Sequence, residues 1–346
     1  MELTLSAEQV QLRDAARQLL ATRFAALVER LPDPVVHDVD AAVRDAQGLG
    51  WLGLGVPEEL GGFGTFQDLV VVTEELGRGL APSLLTTLAV AGRLLLACPA
   101  GPTRSDLLAR LCAGSVTAAV AHDLAHVPDA GYVEFLVVAA EGRVLAVPVE
   151  AVELTEATGF ADVPQWGVEP RDLTSAKVLS DDTGVLRDVW TEATVLAAAR
   201  ALGGGRAVLE RTVQHVSSRE QFGRAIGTFQ AVQHQLADVA TQLDAVGLAV
   251  ARAAWAVTAG VGVDEVERAA AVAALTAHQA FAEATLVAHQ LHGGMGFVLD
   301  SPLHLWSARA VADPSALRGR RHLLDSAAEA LGVGATGFTV PAPLRG

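Results

Sequence analysis

Cysteine is nearly absent: the chain of 346 residues carries only Cys98 and Cys112. Two thiols cannot build the framework of a disulfide-stapled secreted domain, so a reduced, cytoplasmic protein is the expectation. Positive charge is scarce too. Lys and Arg total 25 against 40 Asp and Glu, a net charge of -15. Nucleic acid and anionic membrane surfaces both require a basic footprint, and both are set aside as partners. The deficit does not exclude a phosphorylated cofactor, which needs only a few local cations or helix N-termini. Although 51% of residues are hydrophobic and mean hydropathy is +0.35, no uninterrupted apolar run is long enough to cross a bilayer. The start, Met1-Glu2-Leu3-Thr4, has no basic region ahead of an apolar stretch, so no secretion signal is expected.

What the chain does have is helical periodicity, interrupted once. Ser6-Ala7-Glu8-Gln9 reads as a capping box, followed by apolar Leu12, Ala16, Leu19, Leu20, Phe24 and Leu27 on one face, with Pro32 and Pro34 as a stop. After an irregular, glycine-rich connection from Gly50 to Gly64, Phe66 to Leu80 and Pro82 to Leu96 again read as helices. Between Val116 and Leu179 the pattern changes to short β-branched or apolar runs, with Glu141-Gly142 as a hairpin turn. Helical periodicity returns from Arg187 to His292. Inside it, Gly203-Gly204-Gly205 would cost helix stability by ~1 kcal/mol each, which points to close approach of another backbone. Two further helices, Pro302 to Val311 and Ser315 to Leu331, complete the pattern. The expected division is 1–114 helical, 115–185 a small β domain, 186–335 a helical bundle and 336–346 a loose tail.

One stretch breaks the second helical half: Arg219-Glu220-Gln221-Phe222-Gly223-Arg224-Ala225-Ile226-Gly227-Thr228-Phe229-Gln230. After it, apolar Phe229, Val232, Leu236, Val239, Leu243, Val246 and Val250 alternate in steps of three and four, one face of a helix. The stretch is therefore a turn between two antiparallel helices, presenting Arg219 and Arg224 at a fixed place. Paired arginines there suit a phosphate or carboxylate; a solvated turn with surface ion pairs is an equal reading. A second turn, His292-Gly293-Gly294-Met295-Gly296, holds more glycine than a helix stop requires and lets a bulky ligand approach the backbone.

These motifs resemble the acyl-CoA dehydrogenase family. Arg219 to Gly223, with Ile226 and Phe229-Gln230, is similar to its arginine turn. Gln290-Leu291-His292-Gly293-Gly294-Met295-Gly296 is similar to its cofactor-binding glycine turn. Trp51 to Gly64 and Glu74-Glu75-Leu76-Gly77 resemble its N-terminal segments. The resemblance implies a mainly α fold with a small β domain: N-terminal helices, middle β domain, C-terminal four-helix bundle. It implies FAD as cofactor, with Arg219 at the diphosphate, Phe222 and Gln230 beside it, and Gln290, Gly293 and Gly294 contributed from a neighbouring subunit. No metal is implied. His122 and His126 have i, i+4 spacing but no third ligand.

Two features depart from the family. Ala119 to His126 lacks the threonine-glutamate and glycine-serine segment that walls the flavin ring, and no tryptophan-isoleucine-threonine strand follows. The usual catalytic glutamate would fall near Leu317-Arg318, where none stands. Glu192, one residue from the alternative position used by some members, is the candidate base; as a first-turn residue it also simply complements the helix dipole. Kept turns, a missing glutamate and a bias to Ala, Gly and Arg resemble one subunit of the heteromeric actinobacterial dehydrogenases of steroid side-chain breakdown. The alternatives are a self-sufficient enzyme using Glu192 and a flavin-free scaffold.

Overall fold

The computed structural model describes residues 4–31, 38–157 and 164–312, with short helical pieces at 324–325 and 327–328. The stop at Pro32 and Pro34, the position near Leu317-Arg318, most of the helix expected from Ser315 to Leu331 and the C-terminal tail lie outside the described residues. The fold is mainly α with a small β region between two helical parts, as expected.

The first part holds α1 (Ala7–Val28), α2 (Val39–Gly48), α3 (Phe66–Arg78), α4 (Ser83–Ala97) and α5 (Pro102–Cys112). Ser6 and Gln9 close the capping box of α1, and Thr65 and Asp68 form another on α3. Pro82 precedes α4 as its cap instead of opening its first turn.

Among the described residues the middle part holds seven strands: β1 (Ala118–Ala121), β2 (Val127–Pro128), β3 (Phe135–Ala140), β4 (Arg143–Pro148), β5 (Val152–Ala157), β6 (Gln165–Pro170) and β7 (Lys177–Ser180). One sheet runs β1-β3-β4-β7, with β1 parallel to β3 and the other pairs antiparallel; the second runs β2-β6-β5. Glu141 and Gly142, both at positive φ (52° and 75°), make the expected tight turn between β3 and β4. Strands β5 and β6 had no clear signal in the sequence: β5 is largely polar and exposed, and β6 ends on Pro170.

The last part holds α6 (Val185–Ser218), the two-residue strands β8 (Glu220–Gln221) and β9 (Arg224–Ala225), α7 (Gln230–Thr258), α8 (Val263–His292) and α9 (Leu303–Ala312). Helix α6 is the axis, packed against α3, α4, α7, α8 and α9. Its glycine triplet explains how. Successive residues turn by ~100°, and each glycine meets a different neighbour. A Cβ on Gly203 would lie 1.8 Å from the Glu74 carbonyl oxygen of α3, one on Gly204 2.6 Å from the Phe281 ring of α8, and one on Gly205 2.7 Å from Leu243 of α7. Gly77 answers from α3, where a Cβ would sit 1.9 Å from the Arg200 carbonyl oxygen. The expected backbone approach is thus a helix crossing between α3 and α6. Around it, buried Glu75 accepts from Arg17 at 3.0 and 2.8 Å, and Arg206 donates to Glu74 at 2.5 Å.

By length and mean hydropathy Val263–Gly296 would qualify as a membrane span. Its apolar positions, Ala270, Ala273, Ala277, Phe281 and Ala284 among them, are instead buried in the bundle.

Candidate functional site

The end of α6 builds the arginine turn. Glu220 and Gln221 pair with Ala225 and Arg224 as a minimal hairpin. Its two tip residues, Phe222 (φ 55°) and Gly223 (φ 78°), both sit in the left-handed region. Glycine tolerates that at no cost, whereas a phenylalanine does so at ~1–2 kcal/mol. The strained Phe222 is also 92% exposed. The base of the turn is rigid: Arg219 N–H donates to the His215 carbonyl at 2.8 Å and Ile226 N–H to the Arg219 carbonyl at 2.8 Å. Arg224 lies over the Phe229 ring at 4.1 Å. Arg219 is exposed, and no carboxylate among the described residues forms an ion pair with it. Gln230 is the exposed first residue of α7, whose N-cap, Phe229, offers no side-chain cap. A cation, free backbone N–H groups and the positive end of a long helix dipole therefore face one region, an arrangement suited to an anion.

The glycine turn lies at the same end of the bundle. Helix α8 ends at His292, with exposed Gln290 two residues before; Gly293 takes φ 59° and donates to the Gln290 and His289 carbonyls. A Cβ on Gly293 or Gly294 would meet nothing within 4 Å. The chain's own packing does not call for glycine at 294. The His292 ring stacks on His215 with centroids 4.1 Å apart and planes at 18°. His215 is one helical turn before Arg219, so both turns belong to one surface of a single chain. The sequence reading had them converge across a subunit boundary; α6 and α8 run parallel and bring them together without one. Beyond the turn, Met295, Phe297 and Leu299 are 59%, 73% and 60% exposed, an apolar run continuing past the glycines.

Glu192 lies elsewhere. Helix α6 begins at Val185, two residues before the expected start at Arg187, so Glu192 is beyond the first turn. Its carboxylate is held by Arg93 of α4 in a two-pronged pair at 2.5 and 2.8 Å, with both side chains about 15% exposed. The remaining Arg93 nitrogen donates to the Gly55 carbonyl at 2.7 Å, clamping the glycine-rich N-terminal connection to the same point. Arg93 carried no local signal, because its partner is 99 residues away. From Glu192 to Arg219 the helix rises roughly 40 Å, so the two candidate sites occupy opposite ends of α6.

The remaining candidates are structural. His122 follows β1, and His126 bonds to Asp123 in an irregular loop, so the two share no helix face. No group of three or more His, Cys, Asp or Glu able to hold a metal occurs among the described residues. Trp306 is buried against Phe24, with Arg211 over its ring at 4.8 Å. His292 Nδ1 donates to the Ala288 carbonyl at 2.8 Å.

Family models for the acyl-CoA dehydrogenase N-terminal and C-terminal domains match residues 6–115 and 189–314. The chain belongs to the acyl-CoA dehydrogenase family. Acyl-CoA dehydrogenase IpdE2 of Mycobacterium tuberculosis is 32% identical over 325 residues, covering 89% of this chain and 95% of IpdE2. Among solved structures, the Tcur3481-Tcur3483 steroid ACAD superposes with a TM-score of 0.81 at 26% identity, covering 95% of this chain and 100% of that one. The ChsE4-ChsE5 complex of Mycobacterium tuberculosis, at 21% identity, has the same fold, with a TM-score of 0.83 and coverage of 96% and 99%. This acyl-CoA dehydrogenase is accordingly an oxidoreductase, and its C-terminal matched region contains both candidate cofactor turns and Glu192.

Proposed function

We propose that this acyl-CoA dehydrogenase uses FAD to introduce an α,β double bond into a bulky, steroid side-chain-like acyl-CoA, working as one half of a heteromeric complex with a homologous subunit. The observation that carries this reading is the separation along α6. An exposed diphosphate-type grip stands at one end and the candidate base at the other, roughly 40 Å away, too far for both to serve one flavin. The grip then belongs to an active site whose base this chain does not supply at that end, and a neighbour completes it.

The residues fit the diphosphate half of FAD. Arg219 offers a two-pronged guanidinium, Gly293 and Gly294 offer backbone unobstructed by side chains, and Gln230 and Gln290 offer amides on either side. Phe222, held outward at a cost in backbone strain, needs a cover. Bound FAD would accept hydride from the substrate's β carbon while a base removes the α proton. This chain's residues anchor and orient the cofactor. The base comes from the partner, because both oxygens of the Glu192 carboxylate already accept hydrogen bonds from Arg93, which leaves Glu192 committed to the fold. The same pair counts against the self-sufficient reading.

The test is expression with and without the neighbouring homologous gene. A chain that is yellow and oxidises steroid-type acyl-CoA only in the co-expressed complex supports the proposal. A yellow, active homo-oligomer favours self-sufficiency, and a colourless, inactive assembly in both cases favours the scaffold.

A further inference from the structure

The stacked imidazoles between the two turns are unused by this account. His215 and His292 lie 4.1 Å apart, nearly parallel. Neither forms an ion pair with a carboxylate among the described residues. The charged groups that reach His215 are Arg219 on its own helix and His292 on α8, and His289 and His304 lie beyond. The hairpin's Arg224 is turned to the Phe229 ring. His292 donates through Nδ1 to a carbonyl, which only accepts, so that hydrogen is fixed there. Every ionisable neighbour identified around His215 is thus cationic or can become so. A second positive charge in the stack is opposed until an anion arrives; a diphosphate against Arg219 supplies one.

We propose that His215, stacked on His292, takes up a solvent proton when a diphosphate settles against Arg219, making the cofactor grip itself dependent on pH. The proposal rests on the flavin reading above. In the chain alone burial, then His292 and Arg219, hold His215 below its ordinary value; the bound anion moves it the other way. Affinity then falls as pH rises through the value His215 has in the complex, by up to about tenfold per pH unit. At that position an imidazole is a titratable part of the anion site as well as a packing element.

The measurement is calorimetry of ADP and FAD binding to the co-expressed complex stripped of its flavin, near neutral pH, in two buffers of different ionisation enthalpy. The expected result is net uptake of a substantial fraction of a proton per nucleotide. His215→Phe keeps a ring in the stack and should bind with no uptake and a flat pH profile; His215→Asn gives the same answer if the phenylalanine variant folds poorly. Binding by the native protein without proton uptake, or uptake that survives both substitutions, overturns the proposal and leaves the flavin reading standing. Failure of both nucleotides to bind the flavin-stripped complex at any pH removes both readings.

Discussion

Glycines of the same local type have opposite meanings in this chain, and substitution separates them. Gly203 is held against the Glu74 carbonyl, where a Cβ would stand at 1.8 Å from backbone that cannot rotate aside. Gly203→Ala should therefore cost about 3 kcal/mol or more, at the upper end of overpacking effects, and lower the melting temperature sharply. Gly294 has nothing within 4 Å, so Gly294→Ala should leave the melting temperature within the narrow range of surface substitutions, about 0.5 kcal/mol, while reducing flavin retained on gel filtration. A stability loss at 294 equal to that at 203 would show that its glycine serves packing alone. From sequence both positions read as needing room; only the neighbours in space say for what.

At the scale of elements, the Arg93–Glu192 pair ties α4, α6 and the Gly50–Gly64 connection at one point. Breaking a mostly buried pair from one side leaves an uncompensated charge. Arg93→Met should destabilise the fold by about 3 kcal/mol, and Glu192→Gln, which keeps a hydrogen-bonding amide, by less. Turnover by the assembled complex should survive Glu192→Gln within about threefold; a loss of several orders of magnitude, the scale of general-base removal, would make Glu192 the base after all. Helices, the hairpin at Glu141-Gly142 and the arginine and glycine turns as turns were legible because periodicity, capping and turn chemistry are local. The pairing of Glu192 was not, because it depends on a guanidinium 99 residues away. Strands β5 and β6 were missed for a related reason: pairing with each other, not their own composition, makes them strands.

For the whole molecule, the three parts meet at Asp129. It is buried in the β region at φ 58°, and accepts from Ser83 and Thr87 of α4 at 2.7 and 2.6 Å, with Arg200 of α6 and Arg309 of α9 close enough to act on its charge. Burial raises its pKa, and the two hydroxyls, then the two arginines, pull it partly back. A carboxyl whose folded value lies above its unfolded value, about 3.9, favours the folded state most at low pH and loses that contribution as pH rises through the folded value. Asp129→Asn does not titrate and tolerates the left-handed backbone. Its melting temperature relative to the native protein should rise from about pH 4 towards neutrality; a constant or falling difference would contradict the assignment. The exposed Met295, Phe297, Leu299 and Phe222 lie on the two turns at the end of α6 and α8, where the cofactor grip and the partner are proposed. The most direct test is the flavin content of the co-expressed complex carrying Arg219→Met. The account predicts an assembly of unchanged mass that has lost most of its yellow cofactor; an Arg219→Met complex that retains its full flavin would contradict it.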